Sequence, residues 1–185
     1  MAHHHGVAAV LVLQMPCRAL VHMNFGTVAS FVLAAGVAAL PTIVQAQRMP
    51  YGAGITLEQA RKTVAAAQTE QRKMNMPTGV AIAVLDSGCN LVLLERLDNT
   101  NLGGIQIAQD KAYAACALRL NTKGAQDRLT KGGDGMILLQ LHRMVAVEGG
   151  EPIIADGKTI GAIGVSGGSS EQDAQIAKAG AEAIK

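Results

Sequence analysis

A glycine-rich run near the C-terminus is the first candidate for a ligand site. Residues 164–170 read Gly-Val-Ser-Gly-Gly-Ser-Ser and lie between a predicted strand and a predicted helix. Backbone N–H groups at the start of a helix attract anions, so Ser166, Gly167 and Gly168 are candidates to hold a phosphate or a small carboxylate. The run is not a Walker loop, because no G-K-[ST] follows it. The alternative is that its glycines only permit a tight turn.

Lys111, on the predicted central helix, is the second candidate. It follows Asp110 directly in the chain. Its ammonium group can reach the carboxylate of a ligand, or it can form a salt bridge at the helix surface or across a subunit interface. The sequence leaves these alternatives open.

His142, Glu148 and Glu151 are the remaining candidates. The pair of glutamates has the E-x-x-E spacing that can hold iron through carboxylate oxygens, but the favoured interpretation is two solvated carboxylates that flank a turn.

His142 is the only histidine after residue 22. A Ser-His-Asp triad would therefore depend on His142 meeting Ser166, which we do not expect. The alternative for His142 is a strand residue that faces solvent or contacts another subunit.

Two cysteines, Cys89 and Cys116, follow the N-terminal segment. Cys89 lies in a predicted turn and Cys116 in the middle of a predicted helix, so the sequence favours two free or buried thiols. An oxidising compartment would permit a bond between them. The sequence has no C-x-x-C pair, and a zinc ribbon or a thioredoxin-type site is therefore unsupported.

Residues 1–46 differ from the rest of the chain and predict export. Arg18 is their only charged residue, and an apolar run at residues 25–40 is followed by the tripeptide Val44-Gln45-Ala46. Small residues at these positions are typical of a signal peptidase site. We therefore expect an N-terminal extension and signal peptide, cleavage before Gln47, and a periplasmic or secreted protein. The alternative is a retained anchor, because residues 25–44 can just span a bilayer.

Composition excludes nucleic acid as an expected partner. The formal net charge is +2, and no segment concentrates lysine or arginine as phosphate binding requires. Only 2% of the residues are aromatic, so stacking platforms for single-stranded nucleic acid are missing as well. The core must consist of aliphatic side chains and methionine.

A short tether, residues 47–55, leads into one predicted domain, residues 56–185. Thr56 and Gln59 have the spacing of a capping box, and at the last helix Ser170 can cap with Asp173 at the third helical position. Hydrophobic periodicity and turn residues predict helices near 56–75, 105–120, 125–129 and from 170, and strands near 79–85, 91–97, within 136–147, 152–155 and 158–165. Because these strands come mostly in hairpins, the predicted fold class is α+β, an α/β/α sandwich around an antiparallel sheet.

Four segments together resemble one family: Val80–Gly88, Ile107–Ala115, Gly149–Pro152 and Ile160–Gly168. Their residue types and order resemble the GlcG/HbpS family, which includes the C-terminal domain of PduO-type proteins, over residues 56–185. The resemblance implies a profilin-like fold with about five antiparallel strands and helices on both faces. It also implies assembly into homo-oligomers. Some relatives bind haem or sense redox state, and others are encoded with glycolate oxidation or corrinoid metabolism.

The resemblance makes haem or another tetrapyrrole the first expected small-molecule ligand. His142 is then the natural axial ligand, with Tyr113 and the methionines of the domain as substitutes. The first hypothesis is an exported oligomeric binding protein that takes haem in an apolar cleft near the central helix. The alternatives are an enzyme or accessory subunit that acts on a small hydroxy- or oxo-acid through the glycine-rich run and Lys111, and a ligand-free structural subunit.

Overall fold

Residues 48–184 are the part of the chain that the computed structural model describes, and the predicted signal peptide lies outside it. In chain order the elements are α1 (Leu57–Lys73), β1 (Ala81–Asp86), β2 (Leu91–Arg96), α2 (Leu102–Leu118), α3 (Thr122–Thr130), a 3-10 helix (Gly133–Gln140), β3 (Gly150–Ala155), β4 (Lys158–Ser166) and α4 (Ser170–Ala181). Between residues 48 and 184, none of the helices combines the length and the apolar composition that a membrane crossing requires.

The four strands form one antiparallel sheet in the order β2-β1-β4-β3. Two hairpins, β1–β2 and β3–β4, meet along β1 and β4, where Ala81 is paired with Ser166 and Asp86 with Gly161. Residues 50–52 continue the sheet beyond the end of β1: the Gly52 N–H donates to the Thr159 carbonyl at 2.9 Å. The predicted α+β fold with an antiparallel sheet is confirmed.

Helices cover both faces of the sheet. Alternate residues of β1 face opposite sides, so Ile82 and Val84 pack with α1 and α4 while Ala81 and Ala83 pack against α2. Helix α2 approaches the sheet closely, because its inner face carries alanines and β4 carries Gly164. A Cβ atom at Gly164 would lie 2.0 Å from the Ala108 carbonyl oxygen.

No strand forms within residues 136–147, so the prediction of a strand there is wrong. The described sheet has four strands rather than about five. The segment begins as the 3-10 helix, in which Gly135 and Leu138, three residues apart, are the buried positions. A spacing of three places both on one side of a 3-10 helix, whereas a strand would bury alternate residues.

Capping residues set the helix starts. Thr56 and Gln59 form the predicted capping box at α1. At α4 the cap is Ser169 rather than Ser170, because the Ser169 N–H donates to the Gln172 side chain at 3.0 Å and the Gln172 N–H donates to the Ser169 hydroxyl at 3.3 Å. Gln172 therefore holds the third helical position that we predicted for Asp173.

Cys89 and Cys116 form a disulfide, so the expectation of two free thiols is wrong. Cys89 adopts a positive φ of 62° in the β1–β2 turn. That turn lies beneath the C-terminal half of α2, and the two Cα atoms are 5.8 Å apart. This separation is within the usual range for a disulfide. Sequence periodicity predicted the turn and the helix but could not show that they meet.

Candidate functional site

Lys111 lies in the interior of the fold, on the side of α2 that packs against β4. Only 2% of the residue is exposed. Its ammonium donates to the Asp173 carboxylate at 2.7 Å and to the Val165 carbonyl at 3.0 Å. The salt bridge predicted as an alternative therefore exists, but within the chain core rather than at a helix surface. In this structure the ammonium group is not exposed to an external ligand.

The glycine-rich run holds an anion that belongs to the chain itself. The Gly168 N–H donates to the second carboxylate oxygen of Asp173 at 2.9 Å. The first-turn N–H groups of α4 at Gln172 and Asp173 are bonded to Ser169. Within the predicted seat for an external phosphate or carboxylate at Ser166, Gly167 and Gly168, the Gly168 N–H is thus already bonded to the Asp173 carboxylate.

The shape of this run explains its residues. Gly167 has a φ of +156°, and a Cβ atom there would lie 2.4 Å from the Gly79 carbonyl oxygen. Its own carbonyl accepts from the Thr78 hydroxyl at 2.9 Å. Ser166 is buried at the end of β4. The tight-turn interpretation of the glycines, which the sequence analysis kept as an alternative, agrees with this geometry.

Glu148 lies two residues before β3 and Glu151 lies within it, in different surroundings. Glu148 is buried and lies 3.9 Å from the Lys123 ammonium. Glu151 lines a cleft of about 320 Å³ with Lys178 and Glu182. Burial raises the pKa of the Glu151 carboxyl to about 7, with Lys178 opposing the shift and Glu182 and Glu148 adding to it. In residues 48–184, no three histidine, cysteine, aspartate or glutamate side chains group as metal ligands.

Tyr113 belongs to a polar cluster on the outer side of α2. The Arg143 guanidinium stacks over its ring, 4.3 Å from the centroid. The Arg143 Nε–H donates to the Asp110 carboxylate at 2.8 Å, and the Gln106 amide donates to the other Asp110 oxygen at 3.0 Å. These contacts attach the segment after the 3-10 helix to α2.

His142 is presented by the turn that Arg143 holds. The turn spans Leu141 to Met144, closed by the Met144 N–H, which donates to the Leu141 carbonyl at 3.3 Å. Arg143, the third residue of the turn, has a φ of +59°. The His142 side chain is exposed at the second position. Arg143, which directly follows His142 in this turn, is thus the residue that contacts Tyr113, another of the predicted site residues.

Four exposed apolar side chains precede His142, and we call them the apolar segment. Met136, Ile137, Leu139 and Leu141 are 49, 55, 64 and 45% exposed. Met136 and Ile137 also line a groove of about 440 Å³. Leu138, between them, turns inward and packs with Ala125 and Ala146. A run of this exposure is unusual for a surface that contacts only water.

Comparison with known proteins identifies the family. Residues 55–182 match the family model described as haem degrading protein, HbpS-like. The chain belongs to the HbpS-like family. An uncharacterized 15.0 kDa protein in the dhaT-dhaS intergenic region of Citrobacter freundii is 39% identical over 128 residues, which cover 68% of this chain and 89% of the relative. Protein GlcG of Escherichia coli K12 is 38% identical over 112 residues, covering 60% and 81%.

A solved structure of a further HbpS-like relative contains haem. The crystal structure of a PduOC:haem complex has 25% sequence identity to this chain and a TM-score of 0.64, and the match covers 71% of this chain and 96% of that one. The predicted resemblance to GlcG, HbpS and PduO-type proteins is therefore confirmed.

The sequence did not indicate the contacts that two residues of this HbpS-like chain make. Arg143 follows His142 directly, but no spacing indicated that it stacks on Tyr113, some thirty positions earlier. The capping pattern places Asp173 at the third helical position, whereas its carboxylate pairs with Lys111. A lysine within an otherwise alanine-rich helix face was the available signal, since a buried ammonium requires an acidic partner.

Proposed function

We propose that this HbpS-like protein binds haem or a related tetrapyrrole on the surface formed by residues 133–143. The observation that carries the proposal is the exposed apolar segment, which ends directly beside His142. Exposed apolar runs of this kind usually mark a binding surface. An apolar surface beside a nitrogen donor can bind a flat apolar macrocycle and ligate its central metal. Support comes from the haem complex of the relative PduOC.

The residues of this surface fit the parts of a haem. The apolar segment can contact the macrocycle, and the thioether of Met136 adapts to irregular shapes. The His142 imidazole is the only one in residues 48–184 and can donate to iron. Haem, when bound, supplies redox and ligand-binding chemistry at its iron. The chain's own part is to bind, orient and partly cover the group.

Hemin titration of the full chain tests the proposal. Imidazoles near the N-terminus would confuse the result, so the background variant carries alanine at His3, His4, His5 and His22. We expect a Soret shift with a stoichiometric end-point and the spectrum of a histidine-ligated iron. Adding His142→Ala should remove that spectrum and weaken the affinity, while circular dichroism stays unchanged.

The matched control replaces a half-buried polar residue on the opposite face of the sheet, Gln71→Ala on α1. It should leave the Soret spectrum of the hemin complex unchanged. A spectrum unaffected by His142→Ala would remove the axial role and leave Tyr113 or a methionine as candidates. Failure of the background protein to shift the Soret band at all would refute haem binding itself.

We further propose that the protein is exported and forms a homo-oligomer. The disulfide between Cys89 and Cys116 agrees with an oxidising compartment. Exposed apolar side chains such as Leu102, which is 84% exposed, and the open edges of β2 and β3 are suited to subunit contacts. Light scattering should give at least a dimer at micromolar concentration. A monomer would contradict the assembly.

A further inference from the structure

Arg143 is held in one orientation before any ligand arrives. Its backbone occupies the left-handed region at a φ of +59°. Its Nε–H is fixed on Asp110, and its guanidinium plane lies over the Tyr113 ring. An arginine fixed in this way loses little rotamer freedom when it binds a partner.

The same guanidinium keeps hydrogen-bond donors available. An arginine side chain carries five N–H donors. Within residues 48–184, Nε is the only nitrogen of Arg143 that has a hydrogen-bond partner, and 31% of the side chain is exposed. The Nη groups therefore make no hydrogen bond to residues 48–184 and keep their donors for a ligand.

A second arginine that stacks on a tyrosine differs from Arg143 in the use of its terminal donors. Arg119 lies 4.8 Å from the centroid of the Tyr51 ring, but its Nη1 group donates to the Met49 carbonyl at 3.1 Å. Arg119 thus uses its terminal donors to hold the N-terminal segment. Arg143, which follows the apolar segment in the chain, makes no such bond with its terminal donors among residues 48–184.

We infer that Arg143 selects ligands that carry carboxylates, and so favours porphyrins with free propionates over corrinoids, whose side chains are amides. This inference rests on the proposed tetrapyrrole site. A guanidinium binds a carboxylate through two charge-assisted hydrogen bonds, whereas an amide offers neither the charge nor the paired oxygens. The apolar segment supplies contact area for the macrocycle, and Arg143 distinguishes ligands with carboxylates from ligands with amides.

Two ligands that differ only in their carboxylates test the inference on the wild-type chain. The result then does not depend on whether a variant folds. The full chain is titrated with hemin and with hemin dimethyl ester in the same detergent, because the ester keeps iron and macrocycle but lacks the carboxylates. We expect hemin to bind at least about tenfold more tightly, the factor that corresponds to one charge-assisted hydrogen bond. Cobinamide, which carries amides, should bind no better than the ester.

Arg143→Gln should bring the two porphyrin affinities together, and Arg143→Lys should restore part of the preference through its charge. Arg61→Gln, an exposed arginine on α1, is the matched control and should keep the preference. Equal affinity of the wild-type chain for hemin and its ester, or tight cobinamide binding, would overturn the inference while haem binding stands. No binding of either porphyrin would overturn the proposed function instead.

Discussion

Lys111 and Asp173 form an ion pair in the core of a small domain, with side chains only 2 and 4% exposed. Desolvating two charges costs several kcal/mol each, and the pair is tolerated only if further hydrogen bonds satisfy it. Here the Val165 carbonyl accepts from the ammonium and the Gly168 N–H donates to the carboxylate. The pair thereby links α2, the end of β4 and the start of α4.

Asp173→Asn should destabilise the domain by about 3 kcal/mol, because it leaves the buried Lys111 ammonium without a countercharge. The amide keeps the volume of the side chain and can still accept from the Gly168 N–H, so the loss reports charge rather than packing. Urea denaturation followed by circular dichroism measures the change. Glu182→Gln, in an exposed pair with Lys178, should stay within about 0.5 kcal/mol of wild type. A similarly small effect of Asp173→Asn would contradict this account.

The raised pKa of Glu151 predicts that the free energy of unfolding of the domain falls as pH rises. Its pKa is about 7 in the folded protein against 4.5 for an unperturbed carboxyl. Between these values the folded state holds a proton that the unfolded state has released, so the free energy of unfolding falls as pH increases toward 7. Because the carboxyl is partly exposed, we expect a loss on the order of 2 kcal/mol between pH 5 and pH 8.

Glu151→Gln should flatten this dependence, since a glutamine does not titrate. Denaturation midpoints at pH 5, 6, 7 and 8 for both proteins provide the comparison. If the two curves run parallel across the range, Glu151 is not the group responsible.

At the scale of elements, the contact between α2 and β4 depends on residues without bulk. A Cβ atom at Gly164 would meet the Ala108 carbonyl oxygen at 2.0 Å and the Ala112 nitrogen at 2.5 Å. Both neighbours are backbone atoms of a helix and cannot rotate away.

Gly164→Ala should therefore destabilise the domain by about 3 kcal/mol or more, because α2 must shift to admit one methyl group. Gly103→Ala is the matched control: it lies in the first turn of the same helix, and the nearest atoms to its new Cβ are 3.9 and 4.0 Å away. That change should be neutral or gain about 0.5 kcal/mol through helix propensity. Thermal unfolding of both variants decides the point, and equal melting temperatures would refute the packing argument.

Local signals predicted most elements and failed where tertiary contacts decide. The capping box at Thr56 predicted the start of α1, and the turn residues predicted that β1 and β2 pair as a hairpin. Both features depend on residues that are neighbours in the chain. The stretch at 136–147 has apolar residues that suit a strand, yet only Leu138 and Ala146 are buried there, where they pack with Ala125 of α3. Contacts such as Lys111 with Asp173 or Arg143 with Tyr113 join positions far apart in sequence, and no local pattern encodes them.

On the scale of the whole molecule, the disulfide and the N-terminal segment stabilise the same end of the domain. Cys116 is bonded to Cys89, and its backbone carbonyl accepts from the Tyr51 hydroxyl at 2.8 Å. The N-terminal segment also continues the sheet at Thr159. Cleavage before Gln47 would leave this docked segment intact. The proposed processing and the described fold are therefore compatible.

Export should accordingly yield a chain that starts at Gln47 and has no free thiol. Intact-mass analysis and thiol labelling of the extracytoplasmic fraction measure both. The bond closes a loop between residues 27 apart in sequence. Chain-entropy arguments then give a loss of about 3.5 kcal/mol when a reductant opens it. The double variant Cys89→Ala with Cys116→Ala should have the same lower free energy of unfolding as the reduced protein. Adding a reductant should not change it. Recovery of the full-length chain from the membrane fraction would instead support a retained anchor.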